Sequence, residues 1–204
     1  MQFRCILRNM KHIIRMSDVA ELSVGHPFRT SLADEPPGLV RVVSMAHSIG
    51  ESLTADADLP KIDFRGNVSR LQLAADDLLF RPRGTSTQAI YIESVNQPCI
   101  FAAPLIRVRV SNPQQMHGWY LHWLLNSPAI QRDINAQARG SMIRMVSLES
   151  LRNLQIPVPS MRVQLEIAEV ASLLRQERML AEALMEKNKM YTEQVLWAKA
   201  QEVR

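Results

Sequence analysis

The residues best able to do chemistry in this chain of 204 are arginines rather than a catalytic set. Between residues 61 and 160 there are eleven Lys or Arg against six acids, and ten of the eleven are Arg. A guanidinium makes bidentate bonds to phosphates and base edges that an ammonium cannot, so this stretch suits nucleic acid. The groups that would signal an enzyme are missing. There is no phosphate-cradling Gly-x-x-x-x-Gly-Lys-Ser/Thr or Gly-x-Gly-x-x-Gly loop. Metal-ligand spacings such as His-Glu-x-x-His and Cys-x-x-Cys do not occur. Gly-x-Ser-x-Gly and the Asn/Asp-Pro-Pro-Tyr/Phe signature of amino-methylating enzymes are absent too. His117 and His122 stand five apart, a spacing that does not share one helix face. Asp76 and Asp77 are adjacent carboxylates with no third acid at a telling distance, and they read as a turn leading into a strand. The sequence therefore predicts no catalytic residue, no metal and no cofactor.

The elements that would position the arginines follow from periodicity and punctuation. Leu39-Val40-Arg41-Val42-Val43 reads as a strand by its β-branched content. Residues 48–63 are polar without period and read as a long loop. Leu78-Leu79-Phe80 is a short buried run, followed by a turn or loop from Arg81 to Thr87. Gln88 to Val95 alternates, with Ile90, Ile92 and Val95 on one face. Cys99 to Val110 reads as one longer strand, with Ile106, Val108 and Val110 facing one way and Arg107 and Arg109 the other. Helical spacing then takes over at Trp119, Tyr120, Trp123 and Leu124. Ser127-Pro128 forms a cap with Pro at the first helical position, and Ala129, Ile130, Ile134 and Ala138 continue the face until Gly140 stops it. Ser147 caps a short turn through Leu151, and residues 155–159 run extended.

Beyond Ser160 there is no Gly and no Pro. A heptad reading places Ile167, Leu174, Ala181, Asn188 and Val195 at one seam position. Val170, Glu177, Leu184, Tyr191 and Ala198 fall at the other. This predicts a helix of roughly 40 residues, near 60 Å long at about 1.5 Å per residue, whose seam can pair with a partner helix. Asn188 within the seam is of the kind that sets register. Folding back of an amphipathic helix on its own domain is the competing reading.

Composition sets the outer bounds. An apolar fraction of 47% supports a sizeable core. Cys5 and Cys99 lie far apart, which fits a reducing cytosol better than a disulfide framework. No apolar run approaches the roughly 20 residues needed to span a membrane. The net charge of +4 is distributed unevenly. Residues 1–16 hold Arg4, Arg8, Lys11 and Arg15 without an acid, residues 17–60 are acidic, and residues 161–204 balance seven charges of each sign. Residues 1–15 thus read as a basic extension, 16–159 as a domain and 160–204 as the long helix.

Four blocks, in this order, resemble the target-recognition domain of type I restriction-modification specificity subunits. The first runs from Met16 to Arg29 and includes Gly25-His26-Pro27-Phe28. The second is Ala75-Asp76-Asp77-Leu78-Leu79-Phe80-Arg81-Pro82-Arg83-Gly84, where Asp76 stands at a position the family usually fills with Gly. The third extends from Tyr120-Leu121 to Gly140-Ser141. The fourth is Leu151-Arg152-Asn153-Leu154-Gln155-Ile156-Pro157-Val158-Pro159, leading into Gln164-Leu165-Glu166-Ile167-Ala168 and the long helix. Subunits of that family are about twice as long, with two recognition domains separated by two helices.

The resemblance implies an α+β domain with a mixed, twisted sheet and flanking helices, followed by a coiled-coil-type helix. It implies a non-catalytic, cytoplasmic protein that reads one half of a split site in double-stranded DNA. Methyltransferase subunits, with or without a restriction subunit, would be its partners, and a homodimer through Ile167, Val170, Leu174, Ala181, Leu184, Asn188, Tyr191 and Val195 would complete the site. Three groups are then expected to touch DNA: Arg81, Arg83, Gly84, Thr85, Ser86 and Thr87; Arg139, Ser141 and Arg144; and Lys61, Arg65 and Arg70. The competing function is an interaction adaptor whose helix docks a methyltransferase without DNA binding.

Overall fold

Strands buried over most of their consecutive residues build the centres of the sheets here, and one long uninterrupted helix follows them. The computed structural model describes residues 13–48, 50–54, 59–84, 87–137 and 145–201. In chain order the first strands are β1 (Ile13–Arg15), β2 (Ala20–Val24), β3 (Pro37–Val43), β4 (Ser52–Thr54) and β5 (Lys61–Ile62). After them come β6 (Leu78–Arg81), β7 (Gln88–Ser94), β8 (Cys99–Phe101), β9 (Ile106–Val110) and β10 (Gln155–Pro157). The helices are α1 (Val68–Leu71), α2 (Gly118–Asn126), α3 (Pro128–Gln137), α4 (Leu148–Arg152) and α5 (Met161–Gln201).

The strands form a five-stranded sheet ordered β2-β9-β6-β7-β4, a three-stranded sheet ordered β5-β3-β8 and a β1-β10 pair. Two parallel pairings, β4 on β7 and β3 on β8, make both larger sheets mixed. The fold is α+β, as the sequence predicts. Ile90 and Ile92 lie together in the main core with Leu79, Val43, Cys99 and Phe101, and Val95 packs against the same cluster. Those residues come from both larger sheets, so the core fills the space between them. Val42, Ile62, Ile100 and Ala102 form a smaller cluster that Phe28 and Phe64 partly cover.

Several sequence expectations need correcting. The segment read as a long loop holds β4 and β5, two short strands recruited by pairing with β7 and β3. The single strand expected from Cys99 to Val110 is two strands in different sheets. The chain turns between them at Pro104, which has no N–H to continue a ladder, and Leu105 N–H closes the turn on the Ala102 carbonyl at 3.1 Å. Ile13–Arg15, placed by sequence in the extension, pairs antiparallel with β10. On α2 the buried residues are Tyr120, Leu121, His122, Leu124 and Leu125, whereas Trp123 is exposed.

Local capping follows the sequence closely. Ser147 Oγ accepts the Ser150 N–H at 2.9 Å to start α4. Asn67 Oδ1 accepts from Arg70 N–H at 3.1 Å to start α1. The chain divides into two units, one ending at Leu165 and the other beginning at Glu166. Within the first, buried Gln164 secures the opening turn of α5. Its Oε1 accepts from His117 N–H at 2.9 Å, and its Nε2 donates to the Gln115 and Pro159 carbonyls, each at 2.9 Å. The second unit is helix throughout its described length. Among the described residues no helix is long and apolar enough to cross a membrane.

Candidate nucleic-acid interface

A β-hairpin carries the first group of expected DNA-binding residues. Strands β6 and β7 pair antiparallel with Leu78 opposite Tyr91 and Arg81 opposite Gln88, so residues 82–87 form its tip. Gly84 sits there at φ 121°, a backbone region that side chains with a Cβ avoid. Arg83 beside it is exposed. Arg81 is not: it ends β6 half-buried, and its Nη1 donates to the Ser48 carbonyl at 3.0 Å. Gln88 Nε2 donates to the same carbonyl at 3.3 Å and to that of Gly50 at 3.1 Å. Arg81 therefore braces the hairpin against Ser48. Thr85 and Ser86 lie outside the described residues.

Described residues on either side of the second expected group bond to the hairpin. Arg139, Ser141 and Arg144 fall outside the described residues, but the segment's two flanks are held at the hairpin. On one side Thr87 Oγ1 donates to Gln131 Oε1 of α3 at 2.6 Å. On the other, Val146 N–H donates to the Pro82 carbonyl at 2.8 Å. Tertiary contact thus brings Gln131 and Val146 to the hairpin residues Thr87 and Pro82.

Lys61, Arg65 and Arg70 are built on different elements. Lys61 is exposed on β5 opposite Arg41. Arg65 pairs with Asp63 at 3.3 Å on the surface, and Arg70 is exposed on α1. None of the three lies on the β6–β7 hairpin.

The polar network behind α1 was not legible from sequence. Arg107 and Arg109 do share one face of β9, yet both are held by protein partners. Arg107 is 3% exposed; its Nη1 donates to the Gln72 carbonyl at 2.9 Å and its Nη2 to Glu21 at 3.4 Å. Burial, reinforced by the neighbouring Arg109 charge, lowers its pKa. Arg109 makes a two-pronged contact with buried Asp77, Nε to Oδ1 at 2.6 Å and Nη2 to Oδ2 at 2.7 Å. The hydrogen bond to Asp77 raises its pKa. Asp77 Oδ2 also accepts the Ala74 N–H at 2.8 Å. The signal available in the sequence was the pair of arginines alternating with Ile106, Val108 and Val110.

Asp76 explains the departure noted in the second block. It adopts φ 68°, the left-handed conformation for which Gly is the usual choice and which Asp tolerates better than most residues. Its Oδ1 accepts a hydrogen bond from the Tyr91 hydroxyl at 2.5 Å, and burial together with that bond raises the tyrosine's pKa. Tyr91 stacks on Trp119 of α2 with ring centroids 4.0 Å apart. The turn is therefore the one a Gly would make, with an added tie to the helix layer. Among the described residues no cluster of three or more His, Cys, Asp or Glu is placed to hold a metal.

The helix seam offers a second surface. Val170 is 57% exposed, Leu174 60%, Leu184 60% and Tyr191 68%, so these apolar residues are left largely uncovered by this chain. Ala181 and Asn188 are exposed and Val195 is 39% exposed, while Ile167 is half-buried.

Comparison with known proteins agrees with this geometry. The family model described as the type I restriction modification DNA specificity domain matches residues 10–182. No curated protein matches the chain. Among solved structures, a chain from work on complex assembly and conformational transition of the type I R-M system superposes with TM-score 0.62 at 17% identity, over 86% of this chain and 41% of that one. The type I restriction-modification S subunit from M. genitalium gives 0.57 at 16% identity, over 89% and 43%. The HsdS subunit from Thermoanaerobacter tengcongensis gives 0.52 at 15%, over 81% and 37%. The chain spans less than half the length of each of these. With the matched residues covering most of its sequence, the chain belongs to the family of type I restriction modification DNA specificity domains, which recognise rather than catalyse.

Proposed function

We propose that this chain is a specificity domain that reads one half of a split site in double-stranded DNA in the cytoplasm. The observation that carries the reading is the joining of the β6–β7 hairpin tip to the flanks of residues 138–144 by the Pro82–Val146 and Thr87–Gln131 bonds. The residues proposed to touch DNA are Arg83, Gly84, Thr85, Ser86 and Thr87 together with Arg139, Ser141 and Arg144. Arginine with short polar side chains beside glycine supplies both phosphate contacts and base-edge readout. Arg81 acts as a brace, while Lys61, Arg65 and Arg70 supply outlying phosphate contacts.

The seam on α5 completes the proposal. Large apolar side chains left open along a helix mark an association surface. A second copy pairing through Leu174, Leu184, Tyr191 and Val195 matches a two-fold split site. Methyltransferase subunits, and a restriction subunit where the cell has one, dock on the same helix region.

The test is selection of random duplexes by the purified chain, with binding measured across a salt series. A split, symmetric site and a steep fall of affinity with salt are expected. Light scattering of the intact chain and of a form ending at Leu165, which keeps Gln164, should give a dimer and a monomer respectively. Salt-independent or absent duplex binding, alone and with a methyltransferase subunit, would replace this reading with that of an adaptor.

A further inference from the structure

A cleft of about 510 Å³ is lined by His26, Phe28, Arg29, Glu35, Phe64 and Arg65 among others, none of them on the hairpin. Its size falls within the roughly 300–1,000 Å³ usual for small-ligand sites. One wall is aromatic. His26 meets Phe28 edge-on at 4.7 Å between centroids and Phe64 at 4.9 Å. All three rings are half-buried: they cover the small core cluster on one side and leave ring surface open on the other.

The backbone around the cleft is fixed. His26 N–H donates to the Phe101 carbonyl at 2.9 Å, and Ala103 N–H returns to the His26 carbonyl at 2.8 Å. The opposite wall is closed by Asp63 N–H on the Pro36 carbonyl at 2.7 Å. Gly38 lets these segments approach, since a Cβ there would lie 2.2 Å from the Ile62 carbonyl oxygen. The cleft is therefore pre-organised, which limits the ordering cost of filling it. Two guanidinium groups, Arg29 and Arg65, and two carboxylates, Glu35 and Asp63, complete the lining.

We propose that this cleft binds one unstacked nucleotide. The open ring faces stack the base, which every nucleobase permits. The Glu35 carboxylate accepts from exocyclic amino or ring N–H groups and Arg29 takes the phosphate, while Arg65 stays paired with Asp63. The mixed charge suits a ligand with neutral N–H donors at one end and a phosphate at the other better than a bare anion, which Glu35 and Asp63 would repel. This site goes beyond duplex readout and does not depend on it.

The test uses the full chain and three probes: a short single-stranded oligonucleotide carrying a fluorescent adenine analogue, deoxyadenosine monophosphate, and a fully paired duplex. Saturable quenching of the analogue on binding is expected. Phe64→Leu and Phe28→Leu keep an apolar cover over the core but remove a stacking face. Each should weaken oligonucleotide binding by roughly 5- to 150-fold, the worth of one lost base–aromatic stack, and leave duplex binding unchanged. Competition by the mononucleotide would assign the site to free nucleotides as well as to strands. Oligonucleotide binding unaffected by either variant in folded protein, or no quenching at all, would overturn the proposal even where duplex binding stands. Duplex binding lost with quenching retained would instead remove the function proposed above and leave this site in place.

Discussion

Replacing Asp76 by Gly and by Ala separates the backbone requirement of its turn from the side chain's own contribution. Asp76 holds φ 68° and accepts the Tyr91 hydroxyl at 2.5 Å. Both substitutions delete that hydrogen bond and leave the hydroxyl of Tyr91, which is 5% exposed, without its partner. A bond to a charged acceptor contributes about 1.5–3 kcal/mol; Asp76 is exposed, so solvent screening brings this to about 1 kcal/mol. Asp76→Gly should therefore cost about 1 kcal/mol or less, because Gly sits at positive φ without strain. Asp76→Ala carries the same loss plus the left-handed penalty of about 1–2 kcal/mol. The smaller unfolded-state entropy of Ala offsets about 0.4–1 kcal/mol of that. Gly should thus be the more stable variant by about 0.5–1.5 kcal/mol. Urea denaturation of the full chain, with equal slopes for all variants, measures the difference. In a Tyr91→Phe background the side-chain bond is already gone, and Asp76→Gly should become neutral or stabilising. An Ala variant as stable as the Gly variant would refute the reasoning about this turn.

Three further outcomes concern buried polar contacts elsewhere in the domain. Asp77→Ala strands the Ala74 N–H and half-exposed Arg109; after allowing for water at the arginine, the loss should be about 2–4 kcal/mol in the same assay, with Asp77→Asn costing less. Gln164→Leu removes the partner of three backbone groups; it should destabilise the domain by about 2–4 kcal/mol and raise amide exchange at His117. Burial pushes the Tyr120 hydroxyl from 10.0 up to about 12, so the unfolded chain loses that proton first. Stability from this group is full below pH 10 and falls as pH rises toward about 12; Tyr120→Phe should flatten this part of an alkaline stability profile, at the cost of the hydroxyl's 2.9 Å bond to the Pro157 carbonyl.

What the sequence by itself determined was local. The alternation at Ile90 and Ile92, the Ser147 cap, and the length of α5 without Gly or Pro all depend on neighbours in the chain. The resemblance in four short blocks was legible for the same reason, since each block is a turn, a strand or a helix start. Tertiary structure alone decided which arginines are left for a ligand. Arg81, Arg107 and Arg109 read as cationic in any window, but Ser48, Gln72 and Asp77 hold them in the fold. The charge of a side chain is written at its own position; its partner lies tens of residues away and is found only when the strands pair. For that reason too, β4 and β5 lacked a sequence signal, because short strands draw their stability from the ladder they join. The aromatic cleft likewise exists only because residues 26–29 and 62–66 meet across the smaller sheet.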